Sequence, residues 1–142
     1  MGFKLLGING SLTPPPSRTR IVLDVALSGA RAFDPDLETE VLELRDFALE
    51  FCDGRSPESY NSDTRRALEL VEQADAYLVA TPIYRGSYTG ALKNFLTLYR
   101  TIHVAKILCV ARSWVCWPPG AATIIIWLWN MNCGPYWPSL GR

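Results

Sequence analysis

Neither sign of charge is in excess in this sequence. The 142 residues include 14 lysines and arginines and 14 aspartates and glutamates. The chain therefore has no overall positive field that would attract nucleic acid or an anionic lipid surface. We expect neither nucleic acid nor a membrane as a partner, and an anion-binding site must be built from local groups.

Residues that bind metals are scarce, and their spacing does not suit a metal site. His103 is the only histidine, and no cysteine lies at zinc-ligand spacing from it or forms a C-x-x-C pair. The four cysteines are Cys52, Cys109, Cys116 and Cys133. The sequence thus predicts no metal centre.

A secretion signal and a long apolar run are missing as well. The N-terminal residues lack the succession of a basic stretch, an apolar core and small residues that marks a signal peptide. This favours a cytoplasmic location. The apolar stretch at residues 121–131 is far shorter than the about 20 residues of a membrane-spanning helix.

Acidic residues are absent from the C-terminal part of the chain. Residues 1–100 hold all 14 acids, whereas residues 101–142 hold only three basic residues and all five tryptophans. The length suffices for one domain with a sizeable core. We therefore expect residues 1–142 to form a single domain, with a regular part at 1–100 and an atypical tail at 101–142.

The first hundred residues alternate between strand-like and helix-like segments. Apolar runs or a polar–apolar alternation indicate strands, and each is followed by apolar residues at helical spacing, with Ser17 and Asp63 as predicted N-caps. Repeats of this kind form a parallel sheet with helices on both faces. The predicted fold class is therefore α/β, a doubly wound parallel sheet. The strand-like segments are 3–8, 38–44 and 76–80, and the helix-like segments are 17–30, 63–74 and 89–99.

Ligands of such sheets bind beyond the carboxyl ends of the strands, which here means the loops at residues 9–19 and 81–88. The first loop offers hydroxyl groups, backbone N–H groups and the guanidinium of Arg18 directly before a helix, and all of these suit a phosphate. It is neither a Walker loop nor a G-x-G-x-x-G fingerprint. An ordinary connection, capped by Ser and Thr and stiffened by three prolines, stays open as the alternative.

The second loop contains two tyrosines, an arginine and two glycines where the third strand ends. A flat aromatic ligand can lie against such a backbone, with its polar edges bound by N–H groups. The alternative is that Tyr84 and Tyr88 are half-buried aromatics of a turn.

The two loops together resemble those of the NAD(P)H-dependent FMN reductase family of the flavodoxin-like superfamily, and within it the sulfonate-utilisation FMN reductases. The resemblance is carried by Asn9-Gly-Ser-Leu, by Pro16-Ser-Arg-Thr and by the long motif Ala80-Thr-Pro-Ile-Tyr-Arg-Gly-Ser-Tyr-Thr-Gly-Ala-Leu-Lys-Asn-Phe-Leu96. It covers about residues 3–96. It implies a flavodoxin-like fold.

The resemblance also implies a division of labour within the site. In this family hydride passes from the nicotinamide to flavin N5, chemistry that the cofactors carry, so no catalytic residue is assigned. The phosphate of FMN would be held by Ser11, Ser17, Arg18 and Thr19. The ribityl chain and the isoalloxazine would be lined by Pro82, Ile83, Tyr84, Arg85, Gly86 and Ser87.

As function, the resemblance implies an NAD(P)H-dependent FMN reductase that uses FMN and NAD(P)H. It further implies a homo-oligomer, dimer or tetramer, and a flavin-dependent monooxygenase as the partner that receives reduced flavin. Two alternatives stay open. One is a quinone or azo reductase that retains its FMN, and the other is a non-catalytic, flavin-binding remnant.

The resemblance stops where Thr97 replaces the acidic residue that is usual in the family. Residues 106–111 are predicted to form a fourth strand and residues 123–127 a fifth, but Arg112-Ser-Trp-Val-Cys-Trp stands in place of a Gly-Gly loop. Three explanations of the tail stay open, in decreasing order of preference. They are a frameshifted or truncated reading frame, a divergent functional ending, and an anchor to a membrane or a partner.

Overall fold

Strands and helices alternate through the first hundred residues, as the sequence predicts. The computed structural model describes residues 3–85, 87–102, 108–111 and 123–130. Its strands are β1 Lys4–Asn9, β2 Glu38–Glu43, β3 Ala76–Pro82, β4 Leu108–Ala111 and β5 Thr123–Asn130. Its α-helices are α1 Arg18–Phe33, α2 Ser62–Glu72 and α3 Gly90–Ile102, and short 3-10 turns lie at Leu44–Asp46 and Pro57–Ser59.

The strands form one sheet in the order β2-β1-β3-β5-β4. Within the parallel part of the sheet, β1 is the middle strand. It pairs in parallel with β2 on one side and with β3 on the other. The order 2-1-3 is that of the first half of flavodoxin-like sheets, and the predicted α/β class is confirmed. Parallel pairing brings the carboxyl ends of β1, β2 and β3 to the same edge of the sheet.

The two strands predicted in the tail are present, and their arrangement was not foreseen. β5 lies between β3 and β4 and runs antiparallel to both, so the parallel part of the sheet ends at β3. The connection between β4 and β5, residues 112–122, is shorter than parallel crossovers usually are and suits antiparallel neighbours.

Two apolar cores lie on opposite faces of the sheet, because alternate residues of a strand point to opposite sides. On one face, α1 packs Leu23 and Leu27 against Leu5 and Leu78. On the other, α2 and α3 cover a larger cluster. Its buried members include Leu6, Ile8, Leu42, Val71, Tyr77, Val79, Leu92, Phe95 and Tyr99. Helices on both faces are what a doubly wound sheet requires.

One of the two predicted N-caps is correct and the other is wrong. Ser17 caps α1, since its Oγ accepts a hydrogen bond from the backbone N–H of Arg20 at 3.4 Å. Asp63 does not cap α2. Asn61 does, with its Oδ1 2.7 Å from the N–H of Thr64, because it is the extended residue directly before the helix. Asp63 is already helical and accepts from the N–H of Ala48 instead.

The long segment between β2 and α2 is attached to α3. The side-chain amide of Asn94 accepts from the N–H of Cys52 at 2.9 Å and donates to the carbonyl of Glu50 at 2.9 Å. A single side chain thus pairs with the backbone as a strand neighbour would. In the part of the chain that the structure describes, no helix has the length and apolar character needed to cross a membrane.

Candidate functional site

The loops that follow β1 and β3 are in direct contact at the carboxyl edge of the sheet. The backbone N–H of Gly10 donates to the carbonyl of Ala80 at 2.7 Å. A Cβ atom at Gly10 would lie 3.0 Å from Oγ1 of Thr81 and 3.3 Å from Cβ of Leu92. Glycine avoids crowding here, since an added side chain would require Thr81 or Leu92 to shift by a few tenths of an ångström.

Thr89 joins the same two loops through its hydroxyl group. Its Oγ1 donates to the carbonyl of Gly10 at 2.8 Å and accepts from the N–H of Leu92 at 3.2 Å. Its own N–H donates to Oγ1 of Thr81 at 3.3 Å. Thr89 thus caps α3 and fastens the first loop to the third strand. A hydroxyl residue directly before a helix is the signal by which the sequence could have revealed this cap.

The residues predicted to bind phosphate lie in the loop after β1 and in the first turn of α1. Ser11, Ser17 and Thr19 are buried, whereas Arg18, the first residue of α1, is exposed. The hydroxyl of Ser11 accepts from the N–H of Thr13 at 3.2 Å. Each serine therefore already orders the local backbone, while its hydroxyl proton is available to an anion at the helix N-terminus.

The residues predicted to line a flat ring form a tight turn after β3. Tyr84 and Ser87 exchange two backbone hydrogen bonds, with N–O distances of 2.8 and 3.1 Å. Between them, Arg85 adopts the left-handed conformation with φ 52°, which is uncommon for a residue other than glycine. Gly86 lies outside the described residues.

The side chains of this turn are partly open to solvent. Pro82 and Ile83 are half-buried, and Tyr84 is 59% exposed. Tyr88 packs against the core on the α3 side, so the interpretation as a half-buried turn aromatic holds for Tyr88 and not for Tyr84. The exposed ring of Tyr84 offers apolar, flat surface next to the backbone of the loop.

A buried carboxylate was missed by the sequence interpretation. Glu43, the last residue of β2, is 8% exposed although the alternation of β2 indicates a solvent-facing side chain. Its carboxylate accepts from Nδ2 of Asn9 at 2.8 Å and pairs with the guanidinium groups of Arg20 and Arg45. The hydrogen bond to Glu43 raises the pKa of Arg20 above its ordinary value, so Arg20 stays charged.

Together, these groups suit a ligand with a phosphate at one end and a flat ring at the other. Hydroxyl groups, backbone N–H groups and Arg18 lie in the first loop and the first turn of α1, and the exposed ring of Tyr84 lies in the turn after β3. None of the predicted site residues is placed as an acid, base or nucleophile.

The sequence of this chain is similar to those of known proteins. Residues 3–115 match the family model described as NADPH-dependent FMN reductase. Over 96 residues, which are 68% of this chain and 51% of the relative, the sequence is 46% identical to an NAD(P)H-dependent FAD/FMN reductase of Geobacillus thermodenitrificans. Over 96 residues, 68% of this chain and 50% of the relative, it is 34% identical to the NADH-dependent FMN reductase SfnF of Pseudomonas fluorescens.

A solved structure is similar as well. The crystal structure of an NADH:FMN oxidoreductase (EMOB) in its apo form aligns with a TM-score of 0.55 and 30% sequence identity, covering 68% of this chain and 49% of that chain. The chain spans about half the length of the curated relatives it matches. The residues that match the family model, 3–115, contain both loops described above.

Proposed function

The chain belongs to the NADPH-dependent FMN reductase family, and on that premise we propose that it binds FMN at the loops after β1 and β3 and transfers hydride from NAD(P)H to that flavin. The observation that carries the proposal is the direct contact of the two loops through Gly10 and Thr89. This contact joins the loop that leads into α1 to the loop that contains the exposed ring of Tyr84.

In this proposal each loop binds one part of FMN. The buried hydroxyl groups, the backbone N–H groups of the first loop and the exposed guanidinium of Arg18 bind the phosphate. The turn after β3 binds the ribityl chain and the ring system. Bound flavin and nicotinamide supply the redox chemistry, and the chain orients them and excludes water. The phosphate residues are Ser11, Ser17, Arg18 and Thr19, and the ring residues are Pro82, Ile83, Tyr84, Arg85, Gly86 and Ser87.

Flavin titration tests the binding half of the proposal, and nicotinamide oxidation tests the catalytic half. We expect a yellow purified protein, or one that oxidises NADH or NADPH only after FMN is added. A monodisperse, colourless protein that neither quenches FMN fluorescence nor oxidises either nicotinamide would contradict the proposal. Flavin that survives dialysis, together with turnover on quinones, would identify a quinone or azo reductase instead.

A second candidate function is flavin binding without turnover. It is favoured by the length of the match, because the aligned region covers only 51% of the Geobacillus thermodenitrificans relative, whereas both proposed FMN loops lie within residues 3–115, which match the family model. The two candidates separate cleanly, since this one predicts FMN binding with no oxidation of NADH or NADPH.

The destination of the electrons is part of the same proposal. We propose that reduced FMN leaves the site and supplies a separate flavin-dependent monooxygenase in sulfonate utilisation, and that the working form is a homo-oligomer. The support is the likeness of the two loop motifs to those of the sulfonate-linked reductases. Loss of FMN during gel filtration tests whether the flavin leaves the site. Light scattering tests whether the protein is a homo-oligomer.

Arg18→Gln is expected to lower the affinity for FMN about tenfold, which corresponds to about 1.4 kcal/mol, the size of one charge-assisted hydrogen bond. The affinity for riboflavin, which has no phosphate, should stay unchanged. The matched control is Arg31→Gln, in the last turn of the same helix, where the charge is far from the loop. Equal affinities of Arg18→Gln and wild type for FMN would remove Arg18 from the phosphate site.

A further inference from the structure

A closed ring of polar contacts includes Ser11 and Thr13, in the first half of the loop after β1. It starts at Glu43, whose Oε2 accepts from Nδ2 of Asn9 at 2.8 Å. Oδ1 of Asn9 accepts from the N–H of Ser11 at 3.1 Å, and Oγ of Ser11 accepts from the N–H of Thr13 at 3.2 Å. The carbonyl of Thr13 accepts from Arg45 at 3.3 Å, and Nε of Arg45 lies 3.7 Å from Oε2 of Glu43. We call these five residues the Glu43 ring.

Glu43 holds the other side of the loop too. Its second carboxylate oxygen, Oε1, pairs with the guanidinium of Arg20, and the N–H of Arg20 is the group that Ser17 caps. Asn9 and Glu43 are register partners at the ends of β1 and β2, so the carboxylate is anchored on the sheet. One buried charge is therefore connected to both ends of the loop.

Burial of the Glu43 carboxylate carries a desolvation cost that its partners must offset. A carboxylate removed from water is tolerated only when it is paired and hydrogen-bonded. Glu43 meets this condition because it pairs with two arginines and accepts a hydrogen bond from one amide. Each of these partners contacts a residue of the loop or of the helix that follows it. The hydrogen bonds and ion pairs of Glu43 therefore connect the sheet to the loop and restrict the backbone that they contact.

We propose that Glu43, acting through Asn9 and Arg45, is a positioning residue that preorganises the loop for the phosphate of the flavin. The inference rests on the proposed function for the identity of the ligand. Glu43 does not touch the phosphate. It fixes the backbone at Ser11 and Thr13, and with it the hydroxyl of Ser11, which would otherwise have to be ordered during binding, at a cost in affinity.

The sign of the effect distinguishes positioning from simple charge. Glu43→Gln removes a negative charge near the loop, so by Coulomb attraction alone it would tighten the binding of a phosphate dianion. The proposal predicts the opposite, because the neutral amide no longer holds both arginines. Weaker binding of FMN in this variant therefore reports on the loop.

The experiment compares FMN with riboflavin, by fluorescence quenching, in the wild type and four variants. Glu43→Gln and Asn9→Leu break the ring at two points, and Asn9→Leu does so without changing the charge. The double variant closes a mutant cycle. The control is Glu40→Gln on the same strand, where the half-exposed carboxylate pairs only with Lys4 in the described part of the chain. Asn9→Leu, which leaves the charge unchanged, carries the test alone if Glu43→Gln does not fold.

We expect Glu43→Gln and Asn9→Leu each to lower the affinity for FMN about tenfold and to change the affinity for riboflavin less than about twofold. The double variant should bind FMN no more weakly than the more severe of these two single variants. Unchanged or tighter FMN binding overturns the proposal. Equal loss of FMN and riboflavin affinity also overturns it, since that would be a general structural defect.

Amide hydrogen exchange keeps this inference separate from the proposed function. If the wild type binds neither flavin, the proposed function fails, yet the ring still predicts faster exchange at the N–H groups of Ser11 and Thr13 in both variants. Exchange there that matches wild type would overturn the inference even if FMN binding by the wild type had confirmed the proposed function.

Discussion

Gly10→Val is expected to lower the affinity for FMN and for riboflavin at least about 30-fold, and the free energy of unfolding by about 1–3 kcal/mol. The cause is steric. The first carbon of the new side chain would lie 3.0 Å from Oγ1 and 3.1 Å from Cβ of Thr81. Thr81 is fully buried in β3, so it has no room to retreat, and the loop must move instead.

Isothermal titration with both flavins, together with urea unfolding, measures this effect. The matched control is Gly29→Val in α1, where an added Cβ meets nothing within 4 Å. It should change stability by less than about 0.5 kcal/mol, because valine and glycine differ little in helix propensity. Losing both flavins separates this variant from those of the Glu43 ring, which spare riboflavin. Wild-type affinity in Gly10→Val would mean that contact between the loops is not needed for binding.

The parts of the fold that follow from short-range periodicity were predictable from the sequence. The buried strands β1 and β3 are runs of apolar residues, and the helices show their apolar face every three or four positions. Ser17 was recognisable as a cap because a hydroxyl residue followed by a helical pattern is a local signal. The two loops were predicted as the ligand-binding region because ligands of parallel sheets bind beyond the carboxyl ends of the strands.

The errors concern groups that depend on distant parts of the chain. Glu43 reads as a surface residue of an alternating strand. Its neighbour Arg45 is one of two cationic partners, but the other, Arg20, and the hydrogen-bonding amide of Asn9 lie 23 and 34 positions earlier in the chain. Asn94, on α3, reads as polar helix surface, whereas it pairs with the backbone of the segment before α2. The antiparallel pairing of β5 with β3 likewise depends on which distant strand becomes the neighbour. Periodicity identifies strands but does not assign their neighbours.

Loss of the Thr89 hydroxyl is the second large effect that we expect. Thr89→Val keeps the shape of the side chain and leaves the carbonyl of Gly10 and the N–H of Leu92 without their partner. Loss of an N-cap costs about 1 kcal/mol, and each buried group left unpaired costs about 1–3 kcal/mol. The free energy of unfolding should fall by about 2–4 kcal/mol, measured as a lower urea midpoint with an unchanged slope.

Two further variants determine whether the hydroxyl is responsible. Thr89→Ser retains the oxygen and should recover most of the stability and the affinity for FMN. Thr97→Val makes the same change at an exposed position of α3, where the hydroxyl donates to the carbonyl of Lys93, and should alter stability by less than about 0.5 kcal/mol. Wild-type stability of Thr89→Val would mean that the hydrogen bonds do not contribute, and a Thr89→Ser variant as unstable as Thr89→Val would mean that the hydroxyl is not sufficient without the methyl group. If it recovers stability but not FMN affinity, Thr89 stabilises α3 without aligning the two loops.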